Sequence, residues 1–225
     1  MRNMKARNGN IRELPAYGII EVARYLRVPR KTIEYWVQGA SPILQLPLVN
    51  PPRFSFMNLL ECHVINSMRR EGVRLEKIRT GLETAARGHR GLHPLLEILF
   101  HTDGVDLFIR SLPDDLLNVS LGGQWAFRSI LEIFLHRIER DAPRKRVRFF
   151  PFVVRQTQQE PKIIQMDAAV AFGRPVIAGT GIQTSVIASR FAARESIADL
   201  AGEYGRTPEE IQEALRWESG NPVAA

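Results

Sequence analysis

Apolar positions first fall into step near residue 20. Ile20, Val22, Ala23 and Leu26 supply one face of a short helix, and Ile33, Trp36 and Val37, at i, i+3 and i+4, supply that of a second. Arg27-Val28-Pro29 between them reads as a turn, with proline at a helix edge where a missing N–H costs nothing. Residues 17–38 are therefore expected to form two helices around a tight turn, the second opening on Arg30-Lys31. After Gly39 the pattern breaks. Four prolines between residues 41 and 56 forbid a helix, and Ile43-Leu44 and Leu46-Pro47-Leu48 predict short edge strands of a small hairpin with Arg53 at or beyond its tip. Helical spacing returns over 54–70, through Phe56, Leu59, Leu60, His63, Val64, Ser67 and Met68. Gly72 stops it, and a further helix is predicted over 75–86 with Leu75, Ile78, Leu82 and Ala85 on one face.

Residues 87–95 read as a Gly-rich linker, and the pattern then changes character. Residues 95–101 and 105–110 flank Thr102-Asp103-Gly104, and Asp-Gly between apolar runs signals a hairpin. Residues 116–121 and 124–127 flank Gly122-Gly123 in the same way. A helix is predicted over 129–140, burying Ile130, Ile133, Phe134 and Ile138 and ended by Pro143. The basic run at 144–148 then leads into a strand over 149–154. The simplest reading of 95–155 is a small α+β module for dimerisation or partner contact.

The last third pairs two glycine-punctuated strands with three helices. Ile163 to Asp167 and the stretch around Pro175-Val176-Ile177 are the strands, and glycines allow the tight turns between them. Thr184 and Ser196 are expected to cap the first two helices, and Gly205 to terminate the second. Thr207-Pro208-Glu209-Glu210 carries an N-cap, proline at N1 and a capping-box glutamate at N3, opening a helix over 208–217. The fold class expected is α+β and predominantly helical.

Charge divides the chain. The net charge is +7 and the pI about 10.1, which suggests a polyanionic partner. Residues 1–90 hold 16 Lys and Arg against 7 Asp and Glu, whereas residues 156–225 hold 6 against 9. The basic surface is thus an N-terminal property. Arg30 and Lys31 are candidate DNA contacts, since basic residues opening a recognition helix reach phosphates and base edges in the major groove. The acidic last helix, with Glu209, Glu210, Glu213 and Glu218, suits a protein partner better than phosphate. Pro175, Val176 and Ile177, on an expected exposed hairpin edge, join Glu209, Glu210 and Glu213 as candidate dimer or partner contacts.

Residues 15–85, roughly, resemble the DNA-binding domain of the MerR family of winged-helix regulators. The resemblance rests on Val22-Ala23, Val28, Thr32, Tyr35-Trp36, Arg53 and the run from Arg70 to Ile78. It implies operator binding by a dimer through recognition helix and wing, with Arg30, Lys31, Thr32, Tyr35 and Arg53 as the DNA-binding residues. Glu34 stands where that family usually has arginine, and is expected either to alter specificity or to pair with Arg30. The stretch Gly173-Arg174-Pro175-Val176-Ile177-Ala178-Gly179-Thr180-Gly181-Ile182 resembles the signature of domain-of-unknown-function family 433, with Gly181 in place of an arginine. That family is encoded beside PIN-like ribonuclease toxins, so the resemblance implies the antitoxin of a type II toxin–antitoxin pair. The division expected is a basic arm over 1–14, a winged helix over 15–88, an α+β module over 95–155, an antitoxin-family domain over 160–218 and a tail over 219–225.

Other chemistry is thin. Cys62 stands alone, which excludes an intramolecular disulfide and a multi-cysteine metal site. His89 and His93 have glycine and proline about them and no third ligand near, so no metal and no cofactor is expected. Gly173 to Gly179 has one residue too many for a phosphate loop and lacks its lysine, and Asp114-Asp115 follows Pro113 in a predicted turn, so no enzyme is expected. No signal peptide or long apolar run is read, which predicts a cytoplasmic chain without a membrane. The partners expected are double-stranded operator DNA, a PIN-like toxin and a second copy of the chain. Two rival readings stay open: a stand-alone MerR-like regulator whose C-terminal part dimerises or senses a ligand, and a DNA-architectural or recombination accessory factor.

Overall fold

The computed structural model describes residues 10–38, 42–70, 72–86, 91–100, 105, 106, 109, 123–141, 146–153, 157 and 159–220. The chain divides into two compact units, residues 17–136 and residues 1–16 with 137–225. The expected turn at Thr102-Asp103-Gly104, the strand at 116–121, His89, Asp114-Asp115, Pro143 and Arg144-Lys145 lie outside the described residues.

The first unit opens with a two-residue strand, β1 (Tyr17–Gly18), followed by α1 (Ile19–Leu26) and α2 (Arg30–Val37). A hairpin of β2 (Leu48–Val49) and β3 (Pro52–Phe54) follows, and β3 sits between β1 and β2 in a three-stranded antiparallel sheet. This corrects the sequence expectation. Ile43-Leu44 and Leu46-Pro47 are not strands, the hairpin turns at Asn50-Pro51, and Arg53 lies within β3 opposite Gly18 and Leu48. Proline at the first position of β3 is compatible with pairing there, because a strand start can forgo a donor.

Helix α3 (Phe56–Arg70) is the axis of this unit, and most of its residues are buried. Ser55 and Asn58 cap it reciprocally: each main-chain N–H donates to the other's side-chain oxygen, both at 3.1 Å. Gly72, at φ +80°, closes the turn into α4 (Leu75–Ala86), the span that periodicity predicts. Then come α5 (Pro94–Leu99) and α6 (Gly123–Leu135). Both overturn expected strands. Leu95, Leu96, Ile98 and Leu99 are buried at helical spacing, with proline at N1, so 95–99 is a helix and not half a hairpin. Gly123 begins a helix, which takes up the expected strand 124–127 and ends at Leu135, five residues before the predicted end.

The second unit is built on β4 (Ile138–Asp141) and β5 (Arg146–Phe149), antiparallel from Ile138↔Phe149 to Asp141↔Arg146. The basic stretch 146–148 is thus strand rather than lead-in, and the strand stops at Phe149 instead of running to 154; Pro151, with no N–H, cannot extend the ladder. Phe149 and Met166 exchange main-chain hydrogen bonds at 2.8 and 2.7 Å, joining β5 to the segment that holds β6 (Ile164–Gln165), which pairs with β7 (Val176–Ile177). Three helices follow: α7 (Thr184–Ala192), α8 (Ile197–Tyr204) and α9 (Pro208–Ser219), with α9 packed on α7, α8, β6 and β7.

Ile164, Met166, Val176, Ile177, Ile187, Leu200, Ile211 and Ala214 are buried there, and Trp217 nearly so. A fully buried aliphatic side chain is worth about 1.5–3 kcal/mol, against about 0–1 kcal/mol for an exposed ion pair, so this core holds the fold and the surface charges adjust it. Thr207 and Glu210 form the predicted capping box, and Ser196 caps α8. Thr184 does not cap α7. Gln183 occupies that position, and the buried Thr184 hydroxyl donates to Glu218 of α9, tying the two helices together.

Candidate nucleic-acid and partner interfaces

The turn between α1 and α2 is set by Arg27, whose φ of +54° puts it in the left-handed region. Val28 N–H then reaches back to Ala23 O at 3.0 Å, and Thr32 N–H bonds Pro29 O at 2.9 Å. This places Ile33, Trp36 and Val37 inward; Trp36 is fully packed, as its spacing predicts. The opposite face of α2 presents Arg30, Lys31 and Tyr35 to solvent, with Thr32 half-buried. Two cations at a helix start oppose the positive end of its dipole, so their placement costs stability rather than adding it.

Arg30 Nε donates to Glu34 Oε1 at 2.7 Å, the pairing foreseen for the atypical glutamate. Glu34 is thereby held along its own helix. Lys31, Thr32 and Tyr35 come together in a cleft of about 460 Å³, whose other walls are Trp36, Arg69 of α3, and Arg74, Leu75 and Glu76 at the start of α4. Arg69 Nη1 donates to Val73 O at 3.1 Å and fixes the turn that carries Arg74. Arg79 of α4 lies over the Tyr35 ring, 5.8 Å from its centroid. Arg53 is not in this cleft; it sits on β3, 4.0 Å from Glu21. Sequence reasoning picks out Lys31, Thr32 and Tyr35 and misses Arg69 and Arg74. Their signal is present, as basic residues flanking the Gly72 turn.

A buried polar chain runs along the first turns of α3. Asn58 Nδ2 donates to Gln45 O at 3.0 Å and to Glu61 Oε2 at 3.2 Å, and His93 Nδ1–H donates to Glu61 Oε2 at 2.9 Å. His93, one of the two histidines that sequence spacing sets four apart, is thus occupied by a carboxylate. His63 Nε2–H donates to Phe134 O at 3.0 Å, which fixes its tautomer. Burial pushes the Cys62 thiol well above its ordinary pKa, which suits an inert packing role. Among the described residues no three His, Cys, Asp or Glu side chains are placed to hold a metal, and no helix is long and apolar enough to cross a membrane.

The C-terminal candidates are arranged differently from the expectation. Pro175, Val176 and Ile177 are buried. The outer edge of β7 is not open: Ile177 N–H donates to Ile182 O at 2.9 Å and Val176 bridges Gln183, because the turn at Gly179-Thr180-Gly181 folds the chain back along it. Glu210 accepts a fork from Arg206 at 2.8 and 2.9 Å, and this hydrogen bonding holds its carboxyl below the usual range. Glu213 is buried and accepts from Arg216 at 2.9 Å. Glu209 is exposed. Arg190 bonds Glu195, Glu203 and Tyr204, and that hydrogen bonding lowers the Glu203 pKa.

Residues 164–217 match the family model described as "Protein of unknown function (DUF433)". The match runs from β6 into α9 and includes the Gly179-Thr180-Gly181 turn. The chain is also similar, at 28% identity over 90% of its length and 93% of the relative's, to a Mycobacterium tuberculosis protein named "Putative antitoxin VapB45". Among solved structures it is similar to the crystal structure of Rv2018 from Mycobacterium tuberculosis. That likeness has a TM-score of 0.69 and 26% identity, and covers 90% of this chain and 98% of the other. The curated relative is named for an antitoxin and not for an enzyme.

Proposed function

We propose that this chain is an antitoxin that binds and silences a toxin protein and represses its own operator. The observation that carries the first half is the similarity, over nine-tenths of the chain, to a protein named as a putative antitoxin, with residues 164–217 matching DUF433. The toxin is a PIN-like ribonuclease, by the resemblance of that C-terminal segment to domains encoded beside such enzymes.

The second half rests on the first unit. A MerR-like winged helix with Arg30, Lys31 and Tyr35 exposed on α2, Arg53 on the wing, and Arg69 and Arg74 across a cleft is a surface for a phosphate backbone. The cations at the start of α2 work against the helix dipole, and a DNA-binding role explains their presence there. The chain acts as a homodimer, bringing two winged helices to a two-fold operator. Co-expression with the product of the neighbouring reading frame tests the proposal. The chain should restore growth, co-purify with that product and shift the promoter DNA of its own operon; failure to rescue growth or to co-purify would reject the antitoxin role.

A further inference from the structure

Ala171, Phe172 and Gly173 are three successive residues with positive φ, at 45°, 55° and 76°. Glycine takes such angles freely. For alanine, and above all for phenylalanine, left-handed backbone is strained, because Cβ crowds the following carbonyl oxygen. The turn is nonetheless firmly held. Val170 N–H bonds Asp167 O at 2.9 Å, Gly173 N–H bonds Val170 O at 2.9 Å, and Arg174 N–H bonds Ala171 O at 3.0 Å. Asp167, itself buried, accepts Ala169 N–H on Oδ1 at 2.9 Å.

What this scaffold fixes in space is the side chain of Phe172, which is 86% exposed, more than any other large apolar side chain among the described residues. A turn that needed only its backbone would suit glycine or asparagine there. Strain retained to hold an aromatic ring in water points to a partner for the ring.

Three occupants compete for the ring. The DUF433-matching segment holds seven Asp and Glu against five Arg, so DNA phosphate is disfavoured. A second copy meeting this segment would bring the same acidic balance face to face. A protein with an apolar socket rimmed by cations satisfies both the ring and the charge. A ribonuclease must be basic where it receives RNA. We infer that Phe172, held out by its left-handed turn, is the anchor that inserts into an apolar, basic-rimmed socket on the toxin; this rests on the antitoxin reading. Val186 and Phe191 of α7, both exposed, give the same segment further apolar surface.

The test compares full-length wild-type chain with Phe172→Asn and Phe172→Gly, two residues that accept left-handed backbone. Binding to the product of the neighbouring reading frame and thermal unfolding are both measured. Both variants should keep or raise the wild-type unfolding midpoint and bind at least tenfold more weakly, chiefly through faster dissociation. Binding within twofold of wild type in both variants would overturn the inference and leave the antitoxin reading standing. A midpoint that falls together with binding would make the ring structural and also overturn it. Failure of the wild-type chain to bind would overturn both. Sedimentation of the chain alone supplies the last arm. An unchanged oligomeric state agrees with the toxin as occupant, whereas a wild-type dimer broken by Phe172→Asn would assign the ring to a second copy.

Discussion

Two helix pairs in this chain share an outline and differ in charge. Helices α1 and α8 are each eight residues long, and each ends on a left-handed residue, Arg27 at φ 54° and Gly205 at φ 59°. In each, the next N–H reaches back to an alanine carbonyl, Val28 to Ala23 at 3.0 Å and Arg206 to Ala201 at 2.9 Å. Each second helix has proline at its start. After it, α2 carries Arg30-Lys31 and α9 carries Glu209-Glu210. The acidic pair obeys helix electrostatics: it favours the dipole, completes a capping box and is held by Arg206. The basic pair defies it. Hairpin shape therefore does not by itself tell the two pairs apart. A local rule broken at the helix start calls for a cause outside the helix, and a local rule obeyed there has a sufficient structural cause.

The contrast extends to the interiors. The second unit buries Arg137 completely and meets it with main-chain carbonyls, those of Phe150 at 2.6 Å, Glu160 at 2.7 Å, Pro151 at 3.2 Å and Pro161 at 3.3 Å. Its guanidinium also lies over the Phe152 ring at 4.7 Å, and burial lowers its pKa. Arg137→Met should therefore have the largest effect on stability. It strands several buried acceptors at once and should cost about 3 kcal/mol or more, read as a lower midpoint in denaturant with an unchanged slope. The first unit instead pairs a buried carboxylate with a ring. His93→Ala removes the Nδ1 donor from Glu61 and should cost about 2 kcal/mol by the same measurement. A loss below about 0.5 kcal/mol at either site would mean that the pairing carries no weight.

The smallest effect concerns the acidic helix start. Glu210 has a depressed pKa in the folded chain, so the stability it contributes is present above the ordinary carboxyl value of 4.5 and is lost as pH falls through the depressed one. Wild type should therefore lose more stability than Arg206→Ala on acidification from about pH 5 to about pH 3. Parallel acid profiles would show that the Arg206 fork does not set the Glu210 titration.

Much of this is legible in the sequence. The span of α4, the Trp36 core position, the Thr207 capping box and the Arg30–Glu34 pair follow from spacing alone, because each is set by residues three or four apart in the sequence. The misreadings share a cause. Asp103-Gly104 and Gly122-Gly123 carry the weight of hairpin turns in a local reading, although the buried Leu95, Leu96, Ile98 and Leu99 keep helical time. β7 reads as an open edge, but the segment covering it comes from beyond a three-residue turn, and periodicity says nothing about folding back. Phe172 is invisible for a related reason. Its backbone angles come from the turn around it, and a phenylalanine between alanine and glycine gives no sign of them. Arg69 and Arg74 are in plain view but have no link to α2 along the chain, since only the tertiary packing of α4 brings them across a cleft from Lys31.

The central claim is a division of labour, with DNA at the start of α2 and the toxin at the Phe172 turn. It is tested most directly by measuring both activities in two variants, Arg30→Ala with Lys31→Ala, and Phe172→Asn. The first should weaken operator binding about tenfold or more and reduce the slope of log affinity against log salt by about 1–2, as phosphate contacts are lost, while toxin binding stays at the wild-type level. The second should bind operator as wild type does and lose the toxin. If either variant lost both activities at an unchanged unfolding midpoint, or if the losses were exchanged, the division would be contradicted.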